Sequence, residues 1–213
     1  MSMEHPVEVT CPECGAKGFA IMHDSINVTM DPENKAKVLD QSLFLFRCEK
    51  CKAGVHLEYS TLYHDMREKY MIMVAPDPDA ARKENIALPE FETHSMVSDG
   101  YRLRVVCRIF DLIEKIRVFD SDLDEYAIEL VKLLIHPQLN DPKEILFETA
   151  SEYRLAFYVT YEDPTQNTGI EIDRKYYDNC KNFLADINID KTVQFVDMNF
   201  ISKYLRKNVD EEE

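Results

Sequence analysis

The sequence has no tryptophan, only 5 glycines, and no run approaching the ~18 apolar residues of a membrane-spanning helix. Basic residues are scarce as well: 25 Lys and Arg face 40 Asp and Glu, for a net charge of −15. A chain so charged repels nucleic acid and anionic bilayers at long range. Nucleic acid is therefore disfavoured, although a local contact stays possible, and no membrane partner is expected. There is no Gly-rich phosphate loop, GxSxG elbow or HExxH pair, and no catalytic residue is assigned. The opening Met1-Ser-Met-Glu-His-Pro6 has neither the basic nor the apolar region of a secretory signal. The expected location is cytoplasmic, where thiols stay reduced and paired cysteines are more often metal sites than disulfides.

What the sequence does have is two CxxC units, Cys11-Pro-Glu-Cys14 and Cys48-Glu-Lys-Cys51, 33 residues apart. Zinc takes four tetrahedral ligands at about 2.3 Å from sulfur. A CxxC turn delivers two thiolates to one side of such a centre. Pro12 fixes φ in the first turn, and Gly15 can adopt φ > 0 so that backbone N–H groups face the sulfurs. The pattern predicts one Zn²⁺ held by Cys11, Cys14, Cys48 and Cys51. Four thiolates leave no open coordination position, which marks a structural site. Lys17, Lys50 and Lys52 are near in sequence and are expected to offset its residual charge. A thioredoxin-like redox pair would need a following helix, and Gly15-Ala-Lys-Gly18 starts one poorly.

The predicted fold class is α+β. Residues 1–75 read as a zinc ribbon, a small β domain with an inserted helix. Its strand candidates are Phe19–Met22, Ser25–Thr29, Leu43–Phe46, Gly54–Tyr59 and Tyr70–Val74. Asp31 and Pro32 would cap and open the helix. Residues 76–100, rich in Pro and charge, read as a linker or docked loop. Residues 101–213 read as a mixed α+β domain. Leu103, Val106, Phe110 and Ile113, with a second stripe through Phe119, predict a helix. Ser121-Asp-Leu-Asp124 resembles a capping box for another helix reaching Ile135. Strands follow at Glu144–Glu148 and around Leu155, Phe157 and Val159. Ile170–Asp173 leads into a helix at Arg174–Leu184 capped by Asp173. A strand at Thr192–Val196 and a helix at Asn199–Lys207 complete the pattern.

Together with Ser25-Ile-Asn-Val-Thr-Met-Asp-Pro32 and Phe44-Leu-Phe-Arg47 before the second CxxC, continuing through Leu62-Tyr-His-Asp-Met66, the cysteine motif resembles the CpXC domain family of bacterial and archaeal zinc-ribbon proteins. The likeness covers roughly residues 8–75. It implies a metal and a lineage, and no particular reaction.

Other residues have plainer readings. His23, His56 and His64 are expected to be ordinary surface or core histidines. Adjacent strand residues point to opposite faces, which disfavours acid–base work by Tyr63-His64-Asp65. Cys107 and Cys180 read as core thiols. Asp120, Asp122 and Asp124 lack the Gly and Glu of a calcium loop and suit helix capping. Phe19, Phe44, Phe46 and Tyr59 could stack single-stranded bases, but a small ribbon needs those rings inside.

The leading expectation is a zinc-stabilised interaction or regulatory module with a protein partner. The first alternative is an enzyme with a site between the two domains, drawing on His64 or carboxylates of 161–173. The second is nucleic-acid binding through a basic face of Lys17, Lys35, Lys37, Arg47, Lys50 and Lys52.

Overall fold

The computed structural model describes residues 2–77 and 90–210, and the chain divides into two compact units, Met1–Ile113 and Glu114–Glu213. The architecture is α+β, as the sequence pattern predicts. Among the described residues no helix is long and apolar enough to cross a membrane.

In the first unit β1 (Met3–Thr10) and β2 (Lys17–Asn27) form an antiparallel hairpin. β1 is not among the strands that the sequence pattern predicts. β2 is joined in parallel by β5 (Thr61–Asp65), which turns back into β6 (Tyr70–Val74), and β7 (Arg102–Val106) adds in parallel to β6. The five strands run in the order β1-β2-β5-β6-β7. Two short strands, β3 (Leu45–Arg47) and β4 (Gly54–His56), pair separately. The inserted helix α1 (Glu33–Leu39) starts one residue later than expected: Pro32 sits at the cap, and Asp31 accepts from the Ser2 hydroxyl.

Period-two burial builds the sheet. Thr61, Tyr63 and Asp65, and across the hairpin Tyr70, Ile72 and Val74, are all buried. The Tyr63 and Tyr70 rings stack with centroids 5.8 Å apart. Buried Asp65 is satisfied by accepting from the Arg67 and Glu68 amides, 3.1 Å each, which closes the turn into β6. His64, on the opposite face, meets the Tyr101 hydroxyl at 3.3 Å.

Two expectations change. Residues 78–89 of the predicted linker lie outside the described residues, but Glu90–Ser98 form a helix, α2. The helix expected from Leu103 is instead β7, followed by α3 (Ile109–Asp120). Leu103, Val105 and Val106 fit either element by burial, and apolar spacing alone cannot separate a short buried strand from a buried helix. Pairing with β6 decides it, so the first compact unit runs through Ile113.

The second unit holds a three-stranded antiparallel sheet in the order β10-β9-β8, from β8 (Glu144–Ala150), β9 (Arg154–Thr160) and β10 (Thr168–Asp173). Ile145, Phe147, Leu155, Phe157 and Val159 form its buried face. Three helices accompany it: α4 (Glu125–Ile135), α5 (Arg174–Ala185) and α6 (Met198–Asp210). Asp173 caps α5 as expected. For α4 the cap is Asp124, which accepts from the Ala127 amide at 3.1 Å, rather than Ser121. The expected strand at Thr192–Val196 is irregular backbone rather than a strand among the described residues.

Within this unit α3 and α4 enclose five charged side chains: Glu114, Lys115, Glu125, Glu129 and Lys132, each no more than 5% exposed. Lys132 Nζ lies 3.0 Å from both Glu114 and Glu129, and Lys115 Nζ 2.9 Å from Glu129 and 3.4 Å from Glu125. The Phe147 amide donates to Glu114 at 2.6 Å. Burial alone would neutralise these groups. Burial does raise the Glu114 pKa, Lys132 opposing it. For Lys132 burial works downward, but Glu114 and Glu129 outweigh it and hold the ammonium charged.

Candidate metal centre

Each CxxC unit closes a hairpin, the first between β1 and β2, the second between β3 and β4. The two turns repeat one hydrogen-bond pattern. The Cys11 amide donates to the Ala16 carbonyl and the Gly15 amide to the Cys11 carbonyl, both at 2.9 Å. The Cys48 amide donates to Ala53 and the Lys52 amide to Cys48, again both at 2.9 Å. The fifth residue of each turn has positive φ, +67° at Gly15 and +65° at Lys52. Both turns thus read Cys-x-x-Cys-x-Ala with a left-handed fifth residue. Gly15 announces its left-handed position by residue type, whereas Lys52 is marked only by the alanine that follows it in both turns.

The four sulfurs all lie within 4.8 Å of one another. Cys11 and Cys51 Sγ are 3.6 Å apart, as are Cys14 and Cys48 Sγ. A tetrahedron with arms of about 2.3 Å has edges of about 3.8 Å, so the donor set fits a single ion that all four residues could hold. Cys11 and Cys48 are buried, Cys14 half-buried and Cys51 exposed. Phe46 packs beneath Cys11 and Cys48 in a small apolar cluster. Gly18 lets that ring approach: a Cβ there would stand 2.9 Å from Phe46 Cζ.

Backbone amides attend the sulfurs. The Cys51 amide, with that of Lys50, donates to the Cys48 thiol and brings its pKa down to about 6, burial working against them. At Cys51 the Ala53 amide lowers the pKa, but burial and the neighbouring sulfurs of Cys14, Cys11 and Cys48 prevail and push it up to about 12. The anticipated shell of lysines takes another form. Lys17 pairs with Glu8 at 2.7 Å, and among the described residues no ion pair or hydrogen bond ties Lys50 or Lys52 side chains to the sulfurs.

The remaining singled-out residues lie elsewhere. The four cysteines are the only metal-competent group of His, Cys, Asp and Glu among the described residues, so His23, His56 and His64 stand apart from it. His23 is buried, its Nδ1 3.4 Å from Glu4, and burial lowers its pKa. Cys180 is buried and Cys107 half-buried. Asp124 caps α4, and from the 161–173 stretch Asp163 accepts from the Thr165 amide at 3.0 Å while Asp173 caps α5. Phe44 and Phe46 are buried as expected, with Tyr59 packed on Phe44, but Phe19 is 73% exposed. Period-two alternation along β2 turns Gly18 and Ala20 inward and leaves Phe19 and Ile21 outside.

No curated protein and no solved structure matches the chain. The model of the CpXC protein family matches residues 9–132, which begins just ahead of the first cysteine turn, takes in both, and covers more than half of the sequence. By this match the chain belongs to the CpXC family.

Proposed function

We propose that this protein is a zinc-dependent interaction module of the cytoplasm, in which the metal fixes a surface that a protein partner reads. Cys11, Cys14, Cys48 and Cys51 would hold the zinc. Four thiolates complete its coordination, so the ion supplies a folded scaffold and no free position for a substrate. The observation that carries this reading is the matched pair of cysteine turns, which brings four sulfurs within 4.8 Å. A cytoplasmic setting suits it, because reduced thiols are what the metal requires.

Two measurements test it. Elemental analysis of protein purified from its native cell is expected to give one zinc per chain. Affinity purification with mass spectrometry is expected to recover a specific protein partner, and the Cys14→Ser variant to lose it. A different metal, or a partner retained equally by Cys14→Ser, would overturn the reading.

A further inference from the structure

The hairpin carrying the first cysteine turn leaves one strand edge open. β2 pairs with β1 from Lys17 to Ser25, with an irregularity at Asp24, yet meets β5 only at Ser25, Ile26 and Asn27. Among the described residues, 18–23 therefore have a ladder on one side alone. Pro6 has no N–H and faces Ile21, and the His23 amide donates sideways to the Tyr59 hydroxyl at 3.4 Å. Strand N–H and C=O groups alternate in direction every residue, so those of Phe19 and Ile21 point the same way as the His23 amide, away from β1. Among the described residues neither has a backbone partner on that side.

Two grooves adjoin this edge, about 590 and 330 Å³, sharing Phe19, Phe46 and Arg47 in their walls. The walls mix polar and apolar side chains, with Phe19 and Ile21 73% and 48% exposed. The rim is cationic: Lys17, Lys37, Arg47 and Lys50 stand against Glu49 alone. Lys17 is engaged by Glu8, but Arg47 and Lys50 have no ion-pair partner among the described residues. In a chain of net charge −15 this is a local reversal of sign.

Resting on the interaction-module reading, we propose that this groove binds an extended acidic segment of a protein partner, added as a strand to the free edge of β2. Strand addition uses main-chain hydrogen bonds for affinity and alternate side chains for selectivity. Here acidic residues would meet Arg47 and Lys37, and apolar ones Phe19 and Ile21. A nucleic-acid strand could use the cations and the Phe19 ring, but not a row of strand-directed N–H and C=O groups. The outer edge of β1 is closed to the same mode by Pro6, a common device against edge pairing. The β2 edge has no such block.

The test uses the zinc-loaded full chain and labelled probes: an alternating Glu–Val decapeptide, the same peptide N-methylated at every second residue, a Lys–Val decapeptide, and a ten-nucleotide oligothymidine. The Glu–Val peptide is expected to bind and to slow amide exchange at Phe19 and Ile21. N-methylation, or replacing Glu by Lys, is expected to weaken binding about tenfold or more. Arg47→Glu with Lys37→Glu should do the same at unchanged zinc content, and Lys37→Glu alone gives a milder version remote from the cysteines. Failure of the Glu–Val peptide to bind, equal binding of its N-methylated form, or preferential binding of oligothymidine overturns the proposal. Where a zinc-dependent protein partner is captured but its exchange footprint lies outside Gly18–His23, the groove is refuted while the interaction module stands. Loss of zinc dependence refutes both.

Discussion

The chain gathers acidic groups twice, and the two clusters are built to be neutralised by different means. In the first unit four thiols converge to within 4.8 Å, with no lysine side chain bonded to them among the described residues. In the second, Glu114, Glu125 and Glu129 converge with Lys115 and Lys132 between them. One cluster could hold a cation from outside, and the other carries its cations on the same two helices. The first unit should therefore answer to metal supply and the second should not, and the proposed zinc dependence can be broken on that contrast.

Cys14→Ser, or a strong chelator, gives the largest expected effect. Zinc ligation in small fingers is worth about 10–16 kcal/mol of folding free energy, so the variant should lose its metal and unfold both cysteine turns. Elemental analysis with amide exchange checks this: β1 to β4 should lose protection while β8 to β10 keep theirs. Protected β1 to β4 amides in a metal-free variant would remove the distinction between the units.

Lys132→Met attacks the other side. It removes the lysine paired with buried Glu114 and one of the two lysines paired with buried Glu129. Breaking a buried ion pair from one side costs about 3–5 kcal/mol, read by urea unfolding, and the zinc content should not change. Removing both partners, Glu114→Leu with Lys132→Met, should recover most of that loss, since Glu129 keeps Lys115 at 2.9 Å. A double variant no better than the single one would mean that packing, not charge, holds the site.

These clusters differ just as much in how far the sequence reveals them. The cysteine site is legible because each half is local: four residues specify two ligands, and only the meeting of the halves is left to the fold. The ion cluster is not, because Glu114 and Lys115 on α3 and Glu125, Glu129 and Lys132 on α4 each look like a solvated face until the helices pack. The same limit explains β7, where Arg102–Val106 has the spacing of a buried helix or a strand and β6 decides. Phe19 is a different case. Its alternation with Gly18 and Ala20 is present in the sequence and outranks the general need of a small domain for buried rings.

Gly18 brings the comparison to the contact beneath the sulfurs. Gly18→Ala would drive a Cβ to 2.9 Å from Phe46 Cζ and 3.0 Å from Cε2, in the cluster that supports Cys11 and Cys48. Overpacking of this kind costs about 1–3 kcal/mol. Because Phe46 lies against the ligands, the loss should appear in zinc competition assays as well as in unfolding, and no such coupling is expected from the Lys132 variants.

The smallest effect is the sharpest, because it compares the two cysteine turns with each other. They share their hydrogen bonds and a left-handed fifth residue, but one uses glycine at φ +67° and the other lysine at φ +65°. A Cβ at Gly15 would meet nothing within 4 Å, so Gly15→Ala carries backbone strain and no clash. The left-handed conformation costs a residue with a Cβ about 1 kcal/mol, and Gly15→Ala should lose that much. Lys52→Gly should regain a similar amount, reduced by the greater freedom of glycine in the unfolded chain. The double variant, with the glycine moved from one turn to the other, should then stand close to the original in both zinc affinity and unfolding. A strongly destabilised double variant would mean that the turns are alike in outline only, and that the Lys52 side chain does something at the second turn that its backbone does not.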